Sequence, residues 1–353
     1  HTLESAIADL VDNSIDAGAS TVWVRLLTND GRLVQVEVHD NGSGMDERTI
    51  DDAMTIGHQR EYNAADLGHF GMGLKQAAFG NCDVLTVWSA NSTLPPVGRR
   101  IKRVDYSTDF GCEVLTEASA ALHTQERKTL TGTRVGTSVV WTQMRSSYHG
   151  RSDKEAIAWL ATVGRKLRTH LGVTFHRLLE RKRLAIFVHV DELGAGQTIR
   201  GTPVKPLDPF GYTRTGDPRY PKKLLATLDD RTNLTLTCHI WPAKSTLPSY
   251  TLGGKHGREF QGFYIYRNDR LLQIGGWGQT ATYSPGRQLA RVMLEDDGSI
   301  GRFLTMNPEK NSLRFEHRFQ DVLGQALASD GTTFTDYLKD AEDAFTTATK
   351  RDR

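Results

Sequence analysis

The sequence predicts a mixed α/β protein of two domains, on three observations. Helix-period segments alternate with strand-like runs through the first half of the chain. A Pro- and Gly-containing stretch, GTPVKPLDPFGYTRTGDPRYP at 201–221, interrupts that alternation and is the best candidate for a junction. The 353 residues are too many for one typical core and comfortable for two. The expected domains are 1–190 and 191–353.

Residues 3–17 read as a helix, with Leu3, Ile7, Leu10, Val11, Ser14 and Ile15 on one side at the 3.6 period. TVWVRLLT (21–28) and RLVQVEVHD (32–40) read as strands, joined by a turn around Asn29-Asp30-Gly31. Residues 46–56 suit a short helix with Asp46 as N-cap. Residues 57–72 are polar, glycine-bearing and loop-like, and a helix starts near Gly73 and runs to Phe79. DVLTVWSA (83–90), RRIKRVDYS (99–107) and GTSVVWTQM (136–144) are further strands. Residues 153–172 form a long helix with Ile157, Leu160 and Val163 on its buried side, and RLAIFVHV (183–190) is a strand. Past the junction, 233–243, 260–277 and 287–295 are strand-rich, and one or two helices follow from about Phe319. No internal repeat or low-complexity tract is present.

Hydrophobic content of 38% and charged content of 24% suit a soluble globular chain, and no run of eighteen apolar residues offers a membrane span. The opening HTLESAIADL lacks the basic start and apolar stretch of a signal peptide. It also lacks an initiator Met, so a preceding arm is expected. Cys82, Cys112 and Cys238 lie far apart, make no metal-ligand spacing and leave one thiol unpaired in any disulfide scheme; a reducing cytoplasm is the simplest location. The net charge of +2 decides nothing, but its distribution does. Residues 1–70 hold thirteen Asp or Glu and four Arg, whereas 151–190 hold nine Lys or Arg and three acids. An acidic segment beside a metal and a basic one beside an anion fit a nucleotide protein; two solvated faces of opposite sign are the plain alternative.

Four segments carry chemistry. On the first helix Asp9, Asp12, Asn13 and Asp16 fall within about 100° of one another, opposite the apolar side. Clustered acids with no Lys or Arg among them repel unless a cation compensates, and carboxylate, amide and water oxygens are what magnesium takes. A solvated face is the alternative. In VEVHDNGSGM a strand runs into Asp40 and then Asn41-Gly42-Ser43-Gly44, where glycines let backbone approach a flat ligand and an aspartate can accept from an exocyclic amine such as that of adenine. A simple hairpin turn is the alternative. LGHFGMGLKQAAFG places Gly68, Gly71 and Gly73 ahead of a helix, offering N–H groups and a positive helix end to phosphate oxygens. It is neither a P-loop, lacking Gly-Lys-Ser/Thr, nor a dinucleotide fingerprint, lacking a strand that feeds the glycines. Gly136 and Thr137 of GTSVVW begin a strand, which alone is commonplace.

Taken in order, ADLVDNSIDA, DNGSGM, GHFGMG and GTSVV resemble the four-part signature of the GHKL superfamily: gyrase B, the ninety-kilodalton heat-shock chaperone, sensor histidine kinases and MutL. The resemblance implies an α+β sandwich of the Bergerat type binding ATP with Mg2+. In it Asn13 coordinates magnesium, Asp16 and the Gly42, Gly44 and Met45 loop line the pocket, and Asp40 contacts the adenine amine. Residues 57–72 form a lid. Gly68, His69, Phe70, Gly71, Met72, Gly73, Leu74 and Lys75 face the phosphates, with N–H groups from Gly71 and Gly73, and Thr137 helps seat the base. TPVKPLDPF, GFYIYRNDRLLQIGGW and MNPEKNSLRF resemble the transducer region of the microrchidia, MutL and gyrase branches, of ribosomal-S5-like fold. Its phosphate-seeking lysine corresponds to Lys310, for which a solvated turn lysine is the alternative. The resemblance covers roughly 3–325 and is nearest the microrchidia-like branch.

One position departs from the pattern. The family's water-orienting glutamate is replaced by Asp9, one methylene shorter, and a displacement of about 1 Å at an active site costs on the order of a hundredfold in rate. Glu4 does not stand in, lying about 140° round the helix. The expectation is an ATPase of slow turnover whose ATP-bound form dimerises and clamps a partner, with an ATP-sensing, chaperone-like or interaction module as the alternative. A sensor kinase is disfavoured: no phosphoacceptor-His helix pair precedes the domain in this sequence. DNA or a DNA-processing protein is the expected partner on family grounds, with Arg99–Arg103 and the basic stretch 165–183 as contact candidates and a solvated helix face as the alternative for the latter. No membrane partner is expected.

Overall fold

A computed structural model describes residues 2–55, 73–108, 111–145, 147–148, 150, 152–194, 201–229, 232–254, 256–296, 304–306, 313–315 and 317–350. The chain divides into two compact units: His1–Gly172 with Leu178–Lys205, and Val173–Arg177 with Pro206–Arg353.

The first unit is built on a sheet of eight strands. They are β1 (Thr21–Asn29), β2 (Arg32–Asp40), β3 (Cys82–Ala90), β4 (Val97–Lys102), β5 (Glu113–Val114), β6 (Gly136–Met144), β7 (Ala185–Glu192) and β8 (Thr202–Pro203), in the order β5-β4-β3-β6-β2-β1-β7-β8. β1 and β7 pair in parallel and every other neighbouring pair is antiparallel. Asp30 and Gly31 both hold positive φ in the tight turn between β1 and β2, the geometry a two-residue hairpin needs. Six helices accompany the sheet: α1 (Leu3–Asp16), α2 (Glu47–Met54), α3 (Gly73–Asn81), α4 (Arg103–Thr108), α5 (Glu117–Thr131) and α6 (Asp153–Thr174), the last ending in the second unit.

Strand alternation gives the sheet two unlike faces. The register sets Val22, Val24, Val36, Val38, Leu85 and Trp141 on one face, all buried. Each such side chain contributes roughly 1.5–3 kcal/mol on burial. α1 and α2 reach this face, α1 through Ser14 to Asp40 and α2 through Asp51 to Arg99. The opposite face carries Arg25, Gln35, Glu37, His39, Thr86 and Ser138, and α5 lies over it, enclosing with it a cavity of about 460 Å³. Arg25 donates to Glu37 at 2.7 Å and to Asp191 at 3.2 Å, and His39 spans Glu37 and Ser138, so the buried charges there are paired.

In the second unit a five-stranded sheet runs β12-β11-β13-β10-β9, from β9 (Lys222–Asp229), β10 (Thr232–Ile240), β11 (Gly262–Arg267), β12 (Arg270–Ile274) and β13 (Ala290–Glu295). β11 and β13 are parallel. Its core joins Leu224, Leu236, Phe263 and Val292 to Phe319 of α9 (His317–Gln325) and Phe334 and Tyr337 of α10 (Phe334–Lys350); α7 (His176–Glu180) and α8 (Pro248–Thr251) complete the helices among the described residues. Arg291 is fully buried among Trp241, Tyr250 and Tyr264, and donates to the carbonyls of Pro209, Ser249 and Tyr250. No helix among the described residues is long and apolar enough to cross a membrane, and all three cysteines are free.

The structure departs from the sequence expectations in four places. The strand expected at 99–107 stops at Lys102, and α4 begins at Arg103 with Asp105 in its first turn, where the helix dipole favours an acid. α5 fills 117–131, where no element was expected. β9 was likewise unforeseen, because Leu224 is buried and Leu225 exposed, which hides the alternation. On α6 the buried stripe is Ala156, Leu160, Val163, Leu167 and Leu171; Ile157 is 59% exposed, off that stripe beside the Gly31 turn.

Candidate nucleotide site

The site begins where β2 ends. Asp40 is buried, and its Oδ1 accepts from the Gly42 N–H at 2.8 Å and from the Thr137 N–H at 3.1 Å. Its Oδ2 lies 3.2 Å from the Ser14 hydroxyl of α1, which also lies 3.0 Å from the Leu10 carbonyl. A carboxylate has about four acceptor positions, so three protein donors fix its orientation and leave room for one incoming donor. Burial raises the Asp40 carboxyl above its ordinary value, opposed by the Gly42 and Thr137 N–H groups and the nearby Arg127 charge.

The loop after Asp40 is shaped by space. A Cβ on Gly42 would lie 2.9 Å from the Ala17 carbonyl and 3.1 Å from Asp40 Oδ1. Gly44 has φ of +69°, and a Cβ there would meet the Ala90 carbonyl at 2.1 Å. Asn41 points away from the loop: its Oδ1 accepts from Ser20 N and Thr21 N at 2.9 and 2.8 Å, tying β2 to the chain leaving α1. Met45 N donates to Ser89 Oγ at 2.8 Å, and Ser89 Oγ lies 2.9 Å from Thr137 Oγ1. One chain of hydrogen bonds therefore joins the loop, the end of β3 and the start of β6. Asp46 caps α2 through Thr49 N.

α1 supplies the opposite wall. Its Thr2 N-cap accepts from Ser5 N. Asp9 and Asp12 are 5% and 0% exposed, so they do not form a solvated face; Asn13 and Asp16 are exposed. Asp9 and Asn13, four residues apart, share one side of the helix. Among the described residues no group of three or more His, Cys, Asp or Glu converges to hold a metal ion. A magnesium ion here would draw on Asn13 together with oxygens brought by the nucleotide, the usual habit of that ion.

Residues 1–137 match the family described as "Histidine kinase-, DNA gyrase B-, and HSP90-like ATPase". The N-terminal region is a GHKL-type ATPase domain. That membership implies ATP binding, and the expected α/β class holds with it. A stretch of 76 residues, 20% of this chain, is 38% identical to "Protein MICRORCHIDIA 5" of Arabidopsis thaliana and spans 11% of that relative. A structure described as the N terminal domain of a DNA repair protein aligns over 97% of this chain and 94% of its own, at 16% identity and a TM-score of 0.46.

The remaining expected site residues fall as follows in this GHKL domain. Gly73 opens α3 and Leu74 is half-buried. Lys75 is 2% exposed, and its ammonium donates to the Thr55 carbonyl at the C-cap of α2; burial pushes it down to about 8. Gly68, His69, Phe70, Gly71, Met72 and Lys310 lie outside the described residues. Of the basic run, Arg99 is buried on Asp51 at 2.6 Å and Arg103 meets Asp83 at 3.5 Å, while Lys102 is exposed. Four neighbours of Asp40 and its loop went unread in the sequence. In the sequence Ser14 falls on the apolar side of the helical period, Ser89 inside an ordinary strand and Asn41 in a turn; Arg127 sits in a helix with no apolar stripe.

Proposed function

We propose that this chain binds ATP with Mg2+ and hydrolyses it slowly, and that its ATP-bound form dimerises and moves a transducer unit that clamps a partner. The observation that carries the reading is the Asp40 carboxylate, oriented by three donors and left with capacity for the adenine amine. Thr137 seats the base beside it. Gly42, Gly44 and Met45 form the floor with Asp16 lining the pocket, and Asn13 holds the metal. When bound, Mg2+ neutralises charge on the phosphate oxygens. Asp9 orients the attacking water; its short side chain is what keeps turnover slow. Leu74, the N–H groups of Gly71 and Gly73 and the flanking Gly68, His69, Phe70, Met72 and Lys75 belong to the phosphate side.

In this reading an ATP-binding domain covers 1–190 and an S5-like transducer 191–353, with Lys310 delivered to the terminal phosphate. The proposed partner is DNA or a protein that processes it. That part rests on the family resemblance, since Arg99 and Arg103 are already engaged with Asp51 and Asp83. The three free thiols fit a reducing cytoplasm.

The test is nucleotide-induced stabilisation. Mg·ATP at a hundred times its dissociation constant stabilises by about 2.7 kcal/mol, and Asp40→Asn, which can turn a donor toward the amine, removes most of that gain. An unchanged melting shift in Asp40→Asn defeats the assignment. Sedimentation with a slowly hydrolysed analogue, with and without duplex DNA, tests the dimer and the partner.

A further inference from the structure

Arg127 of α5 is 2% exposed and has no carboxylate at ion-pair distance among the described residues. A buried guanidinium costs stability unless its donors are satisfied. Here the hydrogen bonds it makes go to main-chain carbonyls alone: Nη1 donates to Asp40 O at 3.0 Å and to Val135 O at 3.2 Å, and Nη2 donates to Arg134 O. All three acceptors belong to the strand end and turn that hold the Asp40–Thr137 pair. Gly136 adds a second, independent sign. Its φ is +129°, and a Cβ there would lie 2.1 Å from Asp40 O and 2.6 Å from Arg127 Nη1. The end of β2, the start of β6 and the guanidinium are packed so closely that no side chain fits between them.

The geometry points to Arg127 as a positioning residue that sets the place of the Asp40 carboxylate, and so determines preference for a 6-aminopurine over a 6-oxopurine nucleotide. The inference rests on the reading of Asp40 as the base acceptor. Asp40 reaches the site from one face of the sheet, whereas Arg127 grips its carbonyl from a helix on the other face. The carbonyl and the carboxylate share one Cα, so freeing the first lets the second drift, and a buried acceptor discriminates only when it is held in place. Charge acts in the same direction. Burial already raises the Asp40 carboxyl, and the Arg127 charge opposes that rise. Without Arg127 the carboxyl gains protonated character and can donate to a 6-oxo group.

The experiment measures equilibrium binding of Mg·ATP and of Mg·inosine triphosphate to the full chain. The variants are Arg127→Met, Arg127→Lys, Leu130→Ala and Asp40→Asn. Arg127→Met is expected to weaken ATP roughly tenfold, the scale of one hydrogen bond to a charged group, while inosine triphosphate changes by less than about threefold. Arg127→Lys restores part of the preference through its single charged donor. Leu130→Ala, a buried neighbour on α5, lowers the melting temperature and leaves the ratio of the two affinities alone. A purely structural Arg127 would behave like Leu130. An unchanged ratio in Arg127→Met alongside a lost one in Asp40→Asn overturns the role of Arg127. An unchanged ratio in both overturns the acceptor assignment, and this inference with it. If Arg127→Met does not fold, Arg127→Lys decides: a fallen ratio supports the inference and an unchanged one overturns it.

Discussion

Replacing Gly44 with alanine separates the cost of a backbone conformation from the cost of a contact. Gly44 and Gly18 hold nearly the same left-handed backbone, at φ of +69° and +75°. A Cβ on Gly18 meets nothing within 4 Å, whereas one on Gly44 lies 2.1 Å from Ala90 O, 2.6 Å from Ala90 C and 3.0 Å from Asn91 N. Gly18→Ala therefore reports the left-handed penalty alone, roughly 1–2 kcal/mol. Gly44→Ala adds overpacking, typically about 1–3 kcal/mol, and here against backbone that cannot rotate aside. The total for Gly44→Ala is about 2–5 kcal/mol. At roughly 2–4 °C per kcal/mol, calorimetry should show it melting several degrees below Gly18→Ala. Both glycines lie in the first unit, so the comparison stays within one transition. Gly44→Ala should also weaken Mg·ATP binding, because the displaced loop pulls Met45 N from Ser89 and disturbs Thr137. Equal melting temperatures for the two variants would refute the reasoning: the loop would then swing clear of Ala90 without cost and could not serve as a fixed floor.

Other outcomes are expected. Asn13→Ala should lose magnesium-dependent nucleotide binding, while Asp9→Ala keeps binding and loses turnover; normal phosphate release by Asp9→Ala would show that another group orients the water. Burial raises the Glu37 carboxyl, but the hydrogen bond and charge of His39 and the charge of Arg25 outweigh it and bring it from 4.5 to about 2. The folded value is the lower one, so this stability, about 3 kcal/mol, is present above pH 4.5 and lost as pH falls from 4.5 toward 2. Glu37→Gln should flatten stability across that window, and an identical acid profile would rule the network out as its source. Lys310→Ala should narrow the preference for ATP over ADP while leaving adenine binding intact; unchanged relative affinities would remove Lys310 from the phosphate side.

The legible parts of this chain are those where one physical demand acts on each residue. β2 and β6 came out with their observed limits because each is a run rich in β-branched residues that begins behind a hairpin turn or a glycine. α5 was illegible for the opposite reason. Its buried positions are Ala120, Thr124, Arg127 and Leu130, so the helical spacing is present but half of it is polar. The signals that could have found it were its ends: Thr116 as N-cap, accepting from Ser119 N, and Gly132 in the left-handed C-cap. The acids of α1 admit two readings in the sequence, a cation-facing cluster or a solvated face, and the burial of Asp9 and Asp12 removes the second for those two.

Asp40 and Arg127 together show why sequence alone finds the acceptor and misses its support. Asp40 announces itself, because a strand that ends in Asp-Asn-Gly must stop and turn. Arg127 announces nothing, because its partners are carbonyl oxygens, which every residue carries and no motif encodes. The trace it leaves in the sequence is Gly136, nine residues later, whose missing side chain makes room for the guanidinium. In the sequence a glycine that opens a strand is commonplace. Its positive φ, and the lack of room for a Cβ that would lie 2.1 Å from the Asp40 carbonyl oxygen, make it half of a clamp whose other half is an arginine on the far side of the sheet. The position of the base acceptor is therefore set from both faces at once, and Arg127→Met should register at a nucleotide it never touches.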